Sequence, residues 1–356
     1  MKILLRYFLR EFLKFFFIIL LGLTAILLVA ELFDKVDEFY AKRPPTYLVF
    51  EYLLLQCPRF LLFASPASSL LSILLVIGIA GKWREIVAIQ ASGGNIKRLF
   101  SYFLVVGVIV SLLALILGET LAPIATREAV RIRNVKILQK PLRITHREEA
   151  LWIKGLDGSL IRIKDFVAED DTALKVSIFS FNPSFELIKR IEAESAKWID
   201  GRWELKDASV FDFNHKTVAR HKSITSEAID EPRIFKDEMR KPHEMSFFEL
   251  YAYHKRLEQA GFKNPRYIVE LYGKLAYPMV NFVMVLFGVA LALQSRLGGG
   301  MRAAGLGLLV SLFYWLIYSV SISMGNIGDL PPWFAPWVGP LLFGIAGGYL
   351  YFRIKG

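Results

Sequence analysis

The stretch FLLFASPASSLLSILLVIGIAG, residues 60–81, decides the fold, because it carries no charged side chain over a length that crosses a bilayer as a helix. Further uncharged apolar blocks occupy residues 15–30, 99–118, 275–293, 303–327 and 333–352. In hydrocarbon only helices and closed barrels satisfy every backbone amide and carbonyl, and blocks this long and continuous indicate helices. The sequence therefore predicts an α-helical polytopic membrane protein with about six transmembrane helices.

Basic residues in the short segments between these blocks indicate how the chain is threaded. Lys and Arg are in excess before the first block, between the second and third, between the fourth and fifth, and after the sixth. By the positive-inside rule these segments face the cytoplasm. We therefore expect a multi-pass protein of the bacterial inner (cytoplasmic) membrane with both termini in the cytoplasm. The residues concerned are Lys2, Arg6, Arg10, Lys14, Lys82, Arg84, Lys97, Arg98, Arg296, Arg302, Arg353 and Lys355.

The polar segment between the third and fourth blocks has a different hydrophobic period. Ile161 and Ile163 flank Arg162, and residues 174–178 alternate in the same way. Period two is typical of half-buried strands, and turn residues separate the candidates. Further strands are expected at residues 194–198 and 202–213. The sequence thus predicts an inserted all-β, jelly-roll-like domain, which the threading above places in the periplasm.

These patterns divide the chain into three parts. Residues 1–140 would hold transmembrane helices one to three, residues 141–243 the β domain, and residues 244–356 a connecting helix and transmembrane helices four to six. The connecting helix should begin at Ser246, because Ser246 and Glu249 have the spacing of a capping box.

Motifs for enzyme chemistry are missing from the sequence. The glycines at 298–300 precede Met301-Arg302, whereas a phosphate-binding loop needs Lys followed by Ser or Thr. The five histidines all lie in the insert, at no metal-ligand spacing. We therefore expect no catalytic residue, no metal site, no cofactor bound by this chain and no nucleic-acid partner, so any energy must come from a partner protein or an ion gradient.

The loop GKWREIVAIQASGGNIKRL, residues 81–99, is the most informative segment on the predicted cytoplasmic side. Ile86, Ala88 and Ile89 can form one face of a short helix at about 84–93, which the two following glycines would end. Such a helix can dock in a groove on a cytoplasmic protein. Alternatively it lies on the membrane surface, which also suits the flanking tryptophan and basic residues.

A second group of basic residues lies on the predicted outer side, where the positive-inside rule expects no excess. These side chains could ring a pocket that pairs with phosphates, with Arg133 and Lys136 on one helix face. Ordinary anchoring to acidic lipid is the alternative. The group comprises Lys35, Lys42 and Arg43 after the first block, and Arg127, Arg131, Arg133 and Lys136 after the third.

Taken together, the residues resemble the LptF/LptG permeases of the lipopolysaccharide export system over the whole length of the chain. The most specific piece is REIVAIQASG, residues 84–93, which resembles the coupling helix of that family and is closer to the LptG form than to the LptF form. Further matches are Leu117-Gly118-Glu119 with Ala122-Pro123 after the third block, and Leu330-Pro331-Pro332-Trp333 before the sixth.

The resemblance implies the transmembrane subunit of an ATP-driven lipopolysaccharide exporter. Its partners would be an LptB-like ATPase dimer, which uses ATP and Mg, an LptF-like paralogous permease forming a heterodimer, and LptC-like and LptA-like proteins of a periplasmic bridge. By position, Lys35, Lys42, Arg43, Arg133 and Lys136 would contact lipid A phosphates. The residues expected to seat in the ATPase groove are Arg84, Glu85, Ile86, Ala88, Ile89, Gln90 and Gly93.

Two other functions are compatible with the composition. The chain could be a non-transporting scaffold whose periplasmic domain binds a protein, or an ion-coupled carrier. A carrier usually needs ionisable residues near mid-membrane, and the uncharged blocks offer none. Gly305 and Gly307, within the fifth block, would permit close helix contact in any of these proteins.

Overall fold

The computed structural model describes residues 2–138, 143–145, 151–155, 158–167, 170–182, 186–199, 201–213, 215, 217–229, 232, 242–259, 264–294 and 299–354. The chain divides into two compact units. The first comprises residues 1–130, 242–254 and 263–356, and the second comprises residues 131–241 and 255–262.

Helices make up the first unit, and the apolar blocks of the sequence lie inside them. Five helical stretches in the described part of the chain are long and apolar enough to cross a membrane, the third of them running from Ile96 to Ile137. The helices are α1 (Lys2–Asp34), α2 (Val36–Lys42), α3 (Thr46–Lys82), α4 (Glu85–Ala91), α5 (Ile96–Glu119), α6 (Leu121–Arg131), which a π-helix (Ile132–Ile137) follows, α7 (Phe247–Gln259), α8 (Pro265–Gln294), α9 (Gly300–Ile327) and α10 (Val338–Phe352).

The sixth apolar block folds differently from the other five. Prolines crowd its start, and a 3₁₀ turn, Ala335–Trp337, precedes α10. Helix α10 has 15 residues and is therefore about 22 Å long, below the ~30 Å of a hydrocarbon core. The chain is a polytopic membrane protein, as predicted, but its last apolar helix is shorter than the sequence block.

The core of the helical unit is aromatic between α1 and α5. Phe8 lies 5.3 Å from Phe100 and Phe12 lies 5.6 Å from Phe103, measured between ring centroids. All four rings are fully buried. They occur at helical spacing on both helices, so one face of α1 is fixed against α5.

Glycines allow close helix approach at some of the expected positions. A Cβ on Gly307 would come within 2.6 Å of Leu71, which confirms the predicted contact there. Gly305 has no atom of the described residues within 4 Å of the corresponding point, so it makes no such contact within this part of the chain. The difference arises because residues two apart face different sides of a helix.

The second unit contains one antiparallel sheet in the part of the chain that the structure describes. Strands β3 to β7 pair in sequence order, and β1 and β2 both pair with β3. The strands predicted from alternation are present, and all of them except β6 extend further than expected. The strands are β1 (Arg143–Thr145), β2 (Leu151–Lys154), β3 (Leu160–Val167), β4 (Thr172–Phe181), β5 (Leu187–Ile199), β6 (Arg202–Asp212) and β7 (Thr217–Ser226).

One face of this sheet carries its apolar core. Ile161 and Ile163 of β3, Val176 of β4, and Trp203 and Leu205 of β6 are almost completely buried in one cluster. Strand β7 is exposed along most of its length. An all-β inserted domain is therefore confirmed, and its apolar side chains alternate as period two requires.

Helix α7 begins as the capping-box spacing predicts. The Ser246 hydroxyl accepts the Glu249 amide at 3.3 Å, and a Glu249 carboxylate oxygen accepts the Ser246 amide at 2.8 Å. These two bonds satisfy backbone donors that a helix start leaves open.

Adjacent glycines of α10 provide a test of this packing. A Cβ on Gly347 would lie 3.1 Å from the backbone of Phe287 in α8, whereas Gly348 faces open space. Gly347→Leu should lower the stability of the detergent-solubilised protein by about 1–3 kcal/mol, because a backbone cannot yield as a side chain can. Gly348→Leu is the matched control and should be neutral. An unfolding temperature that falls equally in both variants would contradict this packing.

Candidate functional site

The short helix α4 has well-defined ends, which the surrounding sequence supplies. At its start Arg84 has φ 57°, and its carbonyl accepts the Ala88 amide at 3.0 Å. At its end Gly93 has φ 77°, its amide donates to Gln90 at 2.9 Å, and the Gly94 amide donates to Ile89 at 2.8 Å. This pair of bonds is a Schellman motif, which requires a left-handed residue at the Gly93 position. The predicted helix and its glycine stop are both present.

The two sides of α4 differ sharply in exposure. Ile89 is buried and Ile86 packs partly buried against the same core cluster, so both hold the helix to its own chain. The prediction that Ala88 shares their face is wrong, because Ala88 is exposed on the opposite side. Val87 is 59% exposed on that outer side. The exposed side of α4 therefore consists of Arg84, Val87, Ala88 and Ala91, with Gln90 beside it.

Glu85 occupies the first turn of α4, where a negative charge is favoured by the helix dipole. Its side chain is partly exposed, and its Oε1 atom lies 3.4 Å from the Tyr7 hydroxyl of α1. Glu85 thus connects the start of α4 to the start of α1.

A groove of about 540 Å³ borders α4. Ile86, Val87 and Gln90 of α4 line one side, and Gln294 at the end of α8 and Arg353 after α10 line another. The Gln294 amide donates to the Leu350 carbonyl at 2.7 Å, which ties the ends of α8 and α10 together. A protein that docks on α4 would therefore also meet these two helix ends.

The basic residues that follow α1 differ in how they are paired. Lys35 forms an ion pair with Asp34 and its side chain is 22% exposed. Lys42 and Arg43 are exposed at the end of α2, and neither has an ion pair among the described residues. Helix α2 itself is held by buried Phe39, whose ring lies 6.0 Å from that of Tyr52. The structure thus presents Lys42 and Arg43 on an anchored helix.

Arg127 is engaged inside the chain rather than presented to a ligand. Its guanidinium forms an ion pair with Glu249 of α7, and its Nε donates to the Glu244 carbonyl at 2.7 Å. Glu119 accepts the Phe247 amide at 2.5 Å, and its other oxygen lies 3.9 Å from Lys274 Nζ. Arg127 and Glu119 together fix the start of α7, so Arg127 has a structural role.

The remaining three basic candidates all lie in the second unit, of which Arg131 is the first residue. Arg131 ends α6, while Arg133 and Lys136 lie in the π-helix, where the Leu138 amide donates to the Arg133 carbonyl at 2.8 Å. That i→i+5 bond widens the turn. The spacing that would place Arg133 and Lys136 on one α-helical face therefore does not do so here. Lys136 and Arg131 are exposed and Arg133 is partly buried.

Glu270 and Lys274 of α8 are charged residues that were not predicted from the sequence as site residues. They line a cavity with Arg59, just before the fourth uncharged block. Their i, i+4 spacing beside that block was the available signal. This signal was missed because the sequence block marks only the uncharged part of the helix. Helix α8 begins about ten residues earlier, at Pro265, and so includes both residues.

Long apolar helices, a β insert and a short helix between the second and third spans define a multi-pass membrane protein with a large extramembrane domain. The family description "Lipopolysaccharide export system permease LptF/LptG" matches residues 6–353, and the chain belongs to this family. It is accordingly an inner-membrane permease. Its curated relatives include the LptG proteins of Escherichia coli K12 and Escherichia coli O6:H1, each 25% identical over 266 residues, which are 73% of this chain and 71% of the relative.

The ion pair between Arg127 and Glu249 can be tested by charge reversal. Arg127→Glu should speed amide hydrogen exchange in the first turn of α7 by about tenfold, because a charged hydrogen bond contributes roughly 1.5 kcal/mol. The double variant with Glu249→Arg should recover part of the protection.

Lys136→Glu is the control, because Lys136 is exposed and lies outside this ion-pair network. Unchanged exchange in Arg127→Glu would contradict the structural role of Arg127.

Proposed function

We propose that this chain is an LptG-type transmembrane subunit of an ATP-driven transporter that extracts lipopolysaccharide from the inner membrane and passes it to a periplasmic bridge toward the outer membrane. Family membership supports the class of transporter. The names of the two relatives, each called an LptG permease of lipopolysaccharide export, support the assignment to LptG. The form of residues 84–93 favours the same assignment.

The observation that carries the proposal is the exposed, weakly polar side of α4 beside the groove. Val87, Ala88 and Ala91 face outward although small apolar residues gain by burial. An ATPase subunit that covers them would bind α4 and the ends of α8 and α10 in a single contact. ATP and Mg would then be bound by that LptB-like ATPase dimer and not by this chain.

The proposed threading follows from the basic residues. Arg6 and Arg98 lie at the α4 end of their helices, and the positive-inside rule places this end in the cytoplasm. The β unit then lies in the periplasm, where LptC-like and LptA-like bridge proteins would receive the lipid. An LptF-like paralogue would supply the second half of the membrane cavity.

The energetic need for a partner follows from the lipid. Lipid A carries phosphates and several acyl chains, so it requires both cations at headgroup level and apolar helix faces. Moving each methylene from such a face into water costs about 0.8 kcal/mol. Release therefore needs an external source of work and a shielded path, which an ATPase and a β-domain bridge would provide.

Docking can be tested by placing the same charge at two exposed valines. Val87→Asp on α4 should reduce the ATPase recovered with the purified permease by about tenfold or more, because an unpaired carboxylate would be buried in the contact. Glu85→Lys and Gly93→Pro should act in the same direction. The last change removes an amide that caps α4 and imposes a φ that Gly93 does not have.

Val218→Asp in β7 is the matched control, since Val218 is 62% exposed and lies in the β unit. It should leave ATPase recovery unchanged. Full recovery of the ATPase with Val87→Asp would refute docking through α4.

Lipid binding can be tested by photocrosslinking to lipopolysaccharide in membranes. Lys42→Glu and Arg43→Glu should each weaken crosslinking severalfold, because both cations are exposed on an anchored helix. Lys35→Glu and Arg133→Glu should act in the same direction. Lys14→Glu, in the N-terminal half of α1, is the control. Equal crosslinking in all variants would remove the basic group from the proposal.

A further inference from the structure

Helix α7 has one buried face and one exposed aromatic face. Leu250 and Tyr253 are buried and hold the helix to its own chain. Phe248 and Tyr251, by contrast, are 79% and 49% exposed, and their spacing of three residues makes them neighbours on the helix surface. Two large aromatic side chains next to each other on an exposed face are typical of a surface that another molecule covers.

The start of α7 lies at the edge of the hydrocarbon core. The Phe247 amide donates to a Glu119 carboxylate oxygen at 2.5 Å, and the other Glu119 oxygen lies 3.9 Å from Lys274 Nζ. Glu119 directly follows one uncharged block of the sequence, and Lys274 directly precedes another. Both blocks therefore end at this level, where hydrocarbon meets headgroups, and Phe248 is the next residue of α7.

Helix α7 then runs away from the hydrocarbon, alongside the first turns of α8. The ring centroids of Tyr253 and Tyr267 lie 5.2 Å apart. Tyr267 comes seven residues before Lys274 in α8, and so lies about 10 Å farther along that helix, away from the hydrocarbon. Tyr251 accordingly lies about one turn, roughly 5 Å, beyond Phe248. That position is within the headgroup layer, which is about 5–7 Å thick on each side of a bilayer.

The helices that hold α7 also present apolar side chains near this level. Ile116 of α5 is 59% exposed and lies in the uncharged block, one turn before Glu119. Ile124 of α6 is exposed to the same extent, one turn before Arg127, which pairs with Glu249 of α7. Exposed apolar side chains therefore continue from the hydrocarbon past its edge, on the same helices to which α7 is tied.

We propose that Phe248 and Tyr251 form an aromatic anchor in the headgroup layer of the phospholipid bilayer. Phe248 has no polar atom in its side chain and lies at the hydrocarbon edge. Tyr251 lies one turn farther out, where its hydroxyl can bond to headgroups or water while its ring remains in apolar surroundings. The order of the two residues along α7 thus matches the polarity gradient of a bilayer.

The depth of the two residues favours lipid over a protein as the molecule that covers them. A protein surface would require no particular order of Phe and Tyr along the helix, whereas a bilayer does. The inference rests on the membrane-spanning helices alone and does not depend on the proposed function. It makes α7 a membrane-contacting helix as well as the connection that leads into α8.

The test is electron paramagnetic resonance of a nitroxide label on the full-length protein, purified with its partners and reconstituted in nanodiscs of phosphatidylethanolamine and phosphatidylglycerol. Cys57→Ser removes the single native cysteine, and the label is attached at Phe248→Cys or Tyr251→Cys. The measurement compares collisions with oxygen, which concentrates in lipid, and with a water-soluble nickel chelate. Both side chains are exposed, so neither substitution removes a packing contact of the core.

Two reference positions calibrate the measurement. Leu112→Cys lies in the uncharged block of α5 and is 55% exposed, and Val218→Cys lies in β7 and is 62% exposed. The ratio of oxygen to nickel collisions should be highest at position 112 and severalfold higher at 248 than at 218. At 251 it should lie between the values at 248 and 218.

Two outcomes would overturn the proposal. A ratio at Phe248→Cys equal to that at Val218→Cys would mean that the face is in water. Low collision rates with both reagents at Phe248→Cys would mean that a protein partner covers the face, because a packed interface excludes oxygen and the chelate alike.

Discussion

The absence of water from the hydrocarbon core is the constraint on which the rest of the helical unit depends. Every backbone polar group there must find a partner within the protein, and a buried side-chain hydroxyl gains by doing the same. The serines of α3 show how this is done. The Ser65 and Ser68 hydroxyls donate to the Leu62 and Ala64 carbonyls of their own helix at 2.9 Å, and the Ser69 hydroxyl donates to Asn281 of α8 at 3.2 Å. Polar residues can therefore occur in α3 without breaking its helix.

Because of the same lack of water, the ionisable side chains lie at the two ends of the helices. The two ends differ in structure. At one end the short helix α4 presents small apolar side chains beside a groove. At the other end Glu119 pairs with Lys274 and Arg127 pairs with Glu249, and Glu119 and Arg127 both hold the start of α7. Exposed cations such as Lys42 are therefore distinguishable from charges already used for structure. The amino-acid composition alone does not distinguish exposed charges from those engaged in ion pairs.

Much of the fold could be predicted because its signals are local. Uncharged blocks, period-two alternation, a capping box at Ser246 and glycines after α4 each act within one element. Strand β7 was missed because TVARHKSITS has no sustained alternation; it pairs along β6 and is exposed. The partner of Arg127 could not be predicted because Glu249 is 122 positions away. Ala88 was placed on the wrong side of α4 because residues two apart, such as Ile86 and Ala88, face different sides of a helix.

That orientation of α4 has a mechanical consequence for the proposed transporter. Ile86 and Ile89 pack in the same cluster as Phe8 of α1 and Phe100 of α5. The Schellman motif at Gly93 and Gly94 joins α4 to α5 with only a few residues between them, and Asn95 caps α5 by accepting the Arg98 amide at 2.8 Å. A force on Val87 therefore reaches α1 and α5 through close-packed side chains and a capped turn, and a flexible loop does not absorb it. A surface helix held only by lipid would not transmit such a force, which is why the burial of Ile89 favours coupling over simple membrane anchoring.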